Sequence, residues 1–232
     1  MMIRALASAV TVLSCTFALA VPVAGQGTWT TTLKPVDINH DGIVDAYFDT
    51  ALNISWLADA HASGLRTWHG ASDWAASLSE YGVTGWRLPT GANNCAAVNY
   101  GTSGDCRFQP PKTQAAELAF MYYVTLGNKG APFWPYGLTN SAGFLNPQPG
   151  DVFWTNTTGI SNVGAPLASY FSTADGESDW SRIDGPGAYA WAVHNGDVSP
   201  VPELPSLAYT LFGLAVTGLA TAKLNSFAQR RS

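Results

Sequence analysis

Oxygen-bearing residues recur at every second position between residues 37 and 45, in the stretch DINHDGIVD. They fall at positions one, three, five, seven and nine of a loop: Asp37, Asn39, Asp41, Ile43 through its carbonyl group, and Asp45. Carboxylate, amide and carbonyl oxygens at this spacing are the ligands that calcium-binding loops use. Gly42 stands at position six, where such a loop makes a sharp turn. The stretch therefore predicts a calcium site.

Position twelve of this loop departs from the calcium pattern. A calcium loop carries a bidentate carboxylate there, whereas this chain has Phe48, with Asp49 one place further along. The alternative interpretation is a turn rich in Asp and Asn that holds no ion. If calcium does bind, an affinity of roughly 0.1 to 1 mM would suffice outside the cell.

Catalytic side chains do not occur in the patterns that enzymes use. The histidines form no H-E-x-x-H motif, and no serine stands in a G-x-S-x-G turn. Glu177 and Asp179 are two carboxylates of the kind that glycoside hydrolases use, but spacing along a loop does not fix the distance between them. We therefore predict a protein that is not an enzyme, with a secreted glycan hydrolase as the alternative.

Aromatic residues stand in several stretches that are also rich in Gly, Pro and Asn, a composition typical of loops. Their rings can cover the apolar faces of sugars, while neighbouring Asn and Asp side chains bond to hydroxyl groups. The candidate glycan-binding residues are Trp134, Tyr136, Trp154 and Trp180. The alternative is a structural protein without a ligand, because most Trp residues of a small domain lie in its core.

The charge of the central region excludes one class of partner. Residues 26–202 carry seven Lys and Arg against fifteen Asp and Glu, which gives a formal net charge of −8. Nucleic-acid binding needs grouped basic side chains to neutralise phosphates, and the sequence has no such group. We therefore predict no nucleic-acid partner.

The start of the chain predicts export. Arg4 is followed by an uncharged, mainly apolar run that extends to Gly25, as in a secretory signal peptide. Cleavage can follow Ala20, in the sequence ALA, or Gly25, in the sequence VAG. We assign residues 1–25 to the signal peptide.

The end of the chain predicts a membrane anchor. The run from about residue 205 to residue 222 is uncharged and mainly apolar. As a helix it would be long enough to cross most of a hydrocarbon core. Lys223, Arg230 and Arg231 follow on the side that the positive-inside rule assigns to the cytoplasm. We predict a transmembrane helix, although a buried core helix is the simpler alternative.

Residues 199–232 resemble the PEP-CTERM sorting signals of bacteria that make extracellular polysaccharide. The resemblance rests on the order of three parts: Val201-Pro202-Glu203, the apolar run and the basic end. Leu204 departs from it, because a second Pro usually stands there. The resemblance implies exosortase as a partner. It also implies a membrane-anchored precursor that reaches the cell surface or the extracellular matrix, where exopolysaccharide is an expected partner.

Two cysteines follow the export signal in a loop rich in Gly, Asn and Ser. Cys95 and Cys106 would close a short loop in an oxidising compartment and stabilise it. We predict a disulfide, and two free thiols are the alternative.

The pattern of apolar residues predicts two helices among short aromatic strands. The first helix follows a cap at Thr67 and ends at Gly82, and the second follows a cap at Thr113 and ends at Gly127. The predicted strand regions are AYFDTALNISWLAD, APFWPYGLTN, DVFWTNTT, LASYFSTADG and AYAWAVHNGDV.

This central region resembles the C-terminal domain of bacterial collagen-like adhesins. The matching segments are TWHGASDWAASL, Gly85-Trp86-Arg87-Leu88-Pro89-Thr90, Phe153-Trp154-Thr155-Asn156-Thr157 and Ala190-Trp191-Ala192-Val193. The family often has Arg-Pro-Gly where this chain has His194-Asn195-Gly196. The resemblance implies an α+β fold of the C-type-lectin-like class over residues 26–198, with two helices packed on small antiparallel sheets.

Overall fold

The computed structural model describes residues 22–91, 116–133 and 135–200. These residues form seven strands in two antiparallel sheets, ordered β1-β2-β3-β7 and β4-β5-β6. The strands are β1 (Leu33–Val36), β2 (Ala46–Asp49), β3 (Ile54–Leu57), β4 (Val152–Ile160), β5 (Pro166–Ser172), β6 (Ser178–Arg182) and β7 (Val193–Asn195). A few short helices accompany these two antiparallel sheets, so the predicted α+β class is confirmed.

The first predicted helix is confirmed, with an earlier end. Helix α2 (Trp68–Ser77) follows the short helix α1 (Trp29–Thr32), and its cap is Thr67, whose hydroxyl oxygen accepts the Gly70 N–H at 3.3 Å. The backbone is already extended at Leu78. It then turns back between Glu80 and Val83, which pair with each other.

The second predicted helix is described only in its C-terminal half. Helix α3 (Glu117–Phe120) continues into a π-helical turn, Met121–Thr125, which buries four of its five residues. The backbone leaves this helix at Gly127, which has a φ of +67°, so the predicted stop is confirmed.

The four-stranded sheet joins the two ends of the domain. Its strands β1, β2 and β3 come from the N-terminal side, and β7 comes from the C-terminal side and pairs with β3. All four residues of β3 are buried, because this central strand is covered on both faces. The sheet therefore ties the N-terminal and C-terminal parts of the domain together.

The three-stranded sheet is a local meander. Its β4 strand shifts register between Trp154 and Thr158, and alternate residues point to opposite faces. Phe153 and Phe171 join one hydrophobic cluster, whereas Trp154 and Ala168 join another. The sheet therefore stands between two parts of the core.

Strand β6 is the outer edge of this meander. Two of its outward backbone groups are bonded locally: the Trp180 N–H donates to the Asp179 carboxylate at 2.7 Å, and the Arg182 carbonyl accepts the Gly185 N–H at 2.9 Å. These two bonds leave fewer groups on this edge for pairing with another strand.

An ion pair fixes the GWRLPT segment between α3 and β7. Both terminal nitrogens of Arg87 donate to the Glu117 carboxylate at 2.8 Å, and Arg87 also donates to the Asn195 side chain at 2.7 and 3.0 Å. Glu117 is buried and accepts the Thr90 N–H at 2.8 Å as well. Asn195 is the last residue of β7, so this strand also holds the Arg87 side chain.

The sequence missed or misplaced some strands. APFWPYGLTN forms turns and an isolated bridge between Lys129 and Gly137, at least over its described positions. The edge strands β1 and β6 were not predicted, because Pro35 in β1 and Asp179 in β6 are unfavourable strand residues.

Several predictions fall outside the described residues. These are residues 1–21 of the predicted signal peptide (1–25), Cys95 and Cys106, Trp134, the predicted sorting residues Val201, Pro202 and Glu203, and the apolar run 205–222. Within the part of the chain that is described, no helix has the length and apolar character needed to span a bilayer.

Candidate functional site

A surface groove of about 320 Å³ lies on one face of the three-stranded sheet. All three strands and the loop before β7 contribute to it. The lining residues are Val152, Trp154, Tyr170, Ser181, Pro186, Gly187 and Ala188.

The alternation of the strands positions the aromatic part of this groove. Trp154 is directly opposite Tyr170, and Tyr170 is directly opposite Asp179, so all three side chains share one face. Helix α2 packs against the same face: Ala71 and Ala75 join the hydrophobic cluster of Trp154, and Trp68 donates its indole N–H to the Thr155 carbonyl at 2.7 Å. None of the lining residues of the groove belongs to this helix.

Trp154 forms the floor and Tyr170 a wall. Trp154 is only 1% exposed, and its indole N–H donates to the Arg66 carbonyl at 2.8 Å. The half-buried Tyr170 ring meets it edge to face, with centroids 6.4 Å apart. A ligand in the groove would therefore meet Tyr170 more directly than Trp154.

The opposite wall is a fixed loop. Ala188 exchanges two backbone hydrogen bonds with Arg66, at 3.0 and 2.9 Å. A Cβ added at Gly187 would lie 3.2 Å from the Arg66 nitrogen, so the absence of a side chain permits this close approach. The wall formed by Pro186 and Gly187 is therefore held in place by backbone contacts.

The groove has a negative rim. The pKa of Tyr170 is raised to about 12. Burial is the largest cause, and the negative charges of Asp179, Glu177 and Asp175 add to it. Because these carboxylates oppose ionisation of the phenol, the Tyr170 hydroxyl is neutral at physiological pH and can donate or accept a hydrogen bond.

The structure does not bring the four aromatic candidates together. Trp180 lies on the other face of β6, partly buried against the first hydrophobic cluster, and Tyr136 is 41% exposed in the loop after Pro132. Trp154 and Trp180 lie in strands, not in loops. Trp154 is a core residue with only its edge at the groove, because its ring packs beneath α2.

The predicted calcium loop folds back on its own backbone. The Asp37 carboxylate accepts the N–H groups of Asp41 and Gly42 at 3.1 and 2.8 Å, and Asp45 accepts the Ile38 N–H at 2.8 Å. Gly42 has a φ of +88°, which provides the sharp turn expected at position six.

The remaining polar side chains of this loop also bond within it. Asn39 accepts the Asp41 N–H at 2.9 Å, and Asp41 accepts the Ile43 N–H at 2.8 Å. Among the described residues, no three or more His, Cys, Asp or Glu side chains stand together in a way that could hold a metal ion. Calcium binding by this loop stays a prediction.

A distant turn brings a further carboxylate to the loop. Burial raises the pKa of Glu80, and the nearby Asp45 carboxylate adds to this effect. Asp45 is also the first cause of the raised pKa of the exposed Tyr81. Sequence reasoning missed Glu80 because it lies 35 positions beyond Asp45 in the chain.

Asp49 does not replace the missing carboxylate of position twelve. It is fully buried, accepts the Ala51 and Leu52 N–H groups, and accepts the Thr125 hydroxyl at 3.2 Å. Burial raises its pKa. Asp49 therefore serves the core between β2 and the π-helical turn.

Comparison with protein-family models, with curated proteins and with solved structures gives no match for this chain. The groove residues Tyr170, Ser181 and Pro186 were not singled out from the sequence. Alternation in LASYFS and the hairpin register could have placed Tyr170 opposite Trp154, but nothing local in the sequence indicates the loop that forms the other wall.

Proposed function

We propose that this protein is an exported component of the cell surface or extracellular matrix that binds exopolysaccharide in the groove on the three-stranded sheet. The groove itself is the observation that carries the proposal. It combines the Tyr170 ring and the Trp154 edge with the hydroxyl of Ser181. Aromatic rings cover apolar sugar faces, and hydroxyl and carboxylate groups bond to sugar hydroxyls.

The dimensions of the groove favour a short stretch of glycan. A volume of about 320 Å³ is at the lower end of the range for small-molecule sites. Because the groove is open to solvent along the sheet, a polymer can continue beyond the units that contact it. We therefore infer recognition within a polysaccharide chain.

The charge of the rim narrows the class of glycan. Asp175, Glu177 and Asp179 all act on Tyr170 electrostatically. Anionic sugars would be repelled by these carboxylates, whereas neutral sugars or amino sugars would not. Neutral or amine-bearing polysaccharide is the proposed ligand class.

The binding test uses the exported protein and a panel of neutral, amine-bearing and anionic polysaccharides in affinity electrophoresis. We expect retardation by a neutral or amine-bearing polymer, loss of retardation in Tyr170→Ala and its retention in Tyr170→Phe, which keeps the ring. Tyr136→Ala is the matched control, because that exposed ring lies outside the groove. Thermal unfolding of each variant checks that the fold is intact.

The other outcomes separate the alternatives. Retardation that folded Tyr170→Ala leaves unchanged would place the site elsewhere. No retardation by any polymer would favour a purely structural matrix component. Shortened polysaccharide after incubation, abolished in Glu177→Gln or Asp179→Asn, would favour the secreted hydrolase.

Sorting is proposed from the tail sequence and has its own test. We expect that a host with exosortase releases the protein without its tail, and that replacing Pro202 and Glu203 by Ala retains it in the membrane fraction. Intact mass and cell fractionation measure both. Full-length membrane protein from both forms would make the tail an ordinary anchor.

Calcium is proposed as a cofactor on the donor set of residues 37–45. Each carboxylate oxygen has two lone pairs, so the backbone hydrogen bonds at Asp37 and Asp41 leave capacity for an ion. The turn at Gly42 and the neighbouring Glu80 support the proposal.

A further inference from the structure

The segment around Val23 is built into the fold. Its N–H donates to the side-chain oxygen of Asn140 at 3.0 Å, and Asn140 is completely buried. The amide nitrogen of Asn140 donates to the Leu126 carbonyl at 2.8 Å and the Gln26 carbonyl at 3.2 Å. Asn140 therefore ties the segment to the end of the π-helical turn.

The carbonyl group of Val23 is also used. It accepts the indole N–H of Trp29 at 3.1 Å and the backbone N–H of Gln26 at 3.2 Å. The Trp29 side chain is partly buried and packs against the first hydrophobic cluster. Val23 thus makes three hydrogen bonds, one of them to a buried side chain.

The residues that follow continue the same docking. The Gln26 side chain donates to Asn128 and Thr139 at 3.2 and 2.9 Å. Thr28 donates its N–H to the Thr125 carbonyl at 3.0 Å. Among the described residues, the hydrogen bonds between this segment and the rest of the domain therefore include Val23, three residues before Gln26.

We infer that the mature chain begins at Val21, after cleavage behind Ala20, and not at Gln26. The inference rests on the proposed export. Cleavage after Gly25 would remove Val23, leave the Trp29 indole N–H without the Val23 carbonyl as its acceptor, and take the Val23 donor from the buried Asn140 oxygen, which also accepts the Ala142 N–H.

The sequence permits the upstream site. Ala18 and Ala20 supply the small residues of an A-x-A cleavage signal. A peptidase cuts the chain before it folds, so the fold acts by deciding which product is stable. Only the product that keeps Val23 has all the contacts described above.

The first measurement is the intact mass and N-terminal sequence of the full chain after export with its own leader. We expect Val21 as the first residue. Gln26 as the first residue would overturn the inference while export stands. A chain that retains Met1 would overturn it in a different way, by removing the export on which it depends.

The second measurement compares the thermal unfolding of exported chains with three engineered starts. Chains that begin at Val21 and at Val23 should unfold at the same temperature, because the second keeps the Val23 nitrogen and carbonyl. The chain that begins at Gln26 should unfold at a lower temperature. Equal unfolding temperatures for all three would overturn the structural reason for the inference.

Discussion

The two sheets of this domain differ in how far apart along the chain their paired strands lie. In the four-stranded sheet, β3 pairs with β7 across more than 130 residues of chain, and every residue of β3 is buried. In the meander, each strand pairs with the next one along the chain, and part of one face is uncovered. The closed sheet and its contacts hold the domain together, whereas the meander has a face available for binding.

The largest effect should come from Arg87, beside the closing strand. Arg87→Ala leaves the Glu117 carboxylate, whose side chain is 11% exposed, without its charged partner and with the Thr90 N–H still donating to it. Removing one member of such a pair costs about 3–5 kcal/mol. We expect a loss of about that size in the free energy of unfolding, measured by urea denaturation.

The matched control lies on the meander. Arg182 pairs with Asp184 in the same bidentate way, but both side chains are more than 60% exposed. Arg182→Ala should leave the urea midpoint unchanged. Equal losses for the two variants would contradict the proposed contrast between the sheets.

Two glycines compare a packed backbone contact beside the N-terminal segment with an open turn of the meander. Gly127 has a φ of +67°, and a Cβ there would press against the backbone nitrogen of Gly27. Gly164, in the β4–β5 hairpin, has a φ of +80° with open space around it. Gly164→Ala should cost about 1–2 kcal/mol for the left-handed backbone alone, and Gly127→Ala about 1–3 kcal/mol more for the clash.

Urea denaturation of both glycine variants measures this difference. A cost for Gly127→Ala no greater than that for Gly164→Ala would mean that the N-terminal segment can move away without loss. The contact between Gly27 and Gly127 would then contribute little to stability.

Tyr170 gives a pH-dependent signal from the open face. Its folded-state pKa of about 12 is above the ordinary value of 10.0, so its contribution to stability is present below pH 10 and is lost as the pH rises to about 12. Tyr170→Phe cannot ionise and should lose less stability over that window.

Unfolding at several alkaline pH values, with tyrosinate absorbance, checks the prediction for Tyr170. The absorbance difference between wild type and Tyr170→Phe should have its midpoint near 12. A midpoint near 10 would show that the Tyr170 hydroxyl is freely solvated and that the rim carboxylates do not act on it.

The smallest effect is expected at the acidic loop. Calcium at ten times its dissociation constant should add about 1.4 kcal/mol to the free energy of unfolding. Asp41→Asn should remove the gain, and Asp73→Asn, an exposed carboxylate on α2, should keep it. Thermal unfolding with and without calcium measures it, and no shift in wild type would favour the ion-free turn.

Local signals predicted local structure well. The Thr67 cap and the alternation in AYFDTALNISWLAD identified α2, β2 and β3, because each depends on residues close in sequence. The π-helical turn has no comparable signal. Strand β6 was missed because its pairing with β5, not its own composition, makes it a strand.

The candidate site was harder to predict for the same reason. The groove needs the loop of Pro186 and Gly187, which is held by the hydrogen bonds between Ala188 and Arg66. Arg66 lies more than 100 positions earlier in the chain, and no local pattern encodes that contact. The aromatic candidates were selected as loop residues, yet burial depends on what packs above a ring. Trp154 lies beneath α2, whereas Tyr170 lies beside it at the opening.

The edge of β6 matters for how copies of this protein meet one another at high protein concentration. A protein that accumulates in a matrix meets many copies of itself, and an open strand edge would let them join into fibres. The Asp179 carboxylate accepts the outward N–H of Trp180, and the Gly185 N–H donates to the outward carbonyl of Arg182. Two of the backbone groups through which β6 could pair with a strand of another copy are therefore already bonded within the chain.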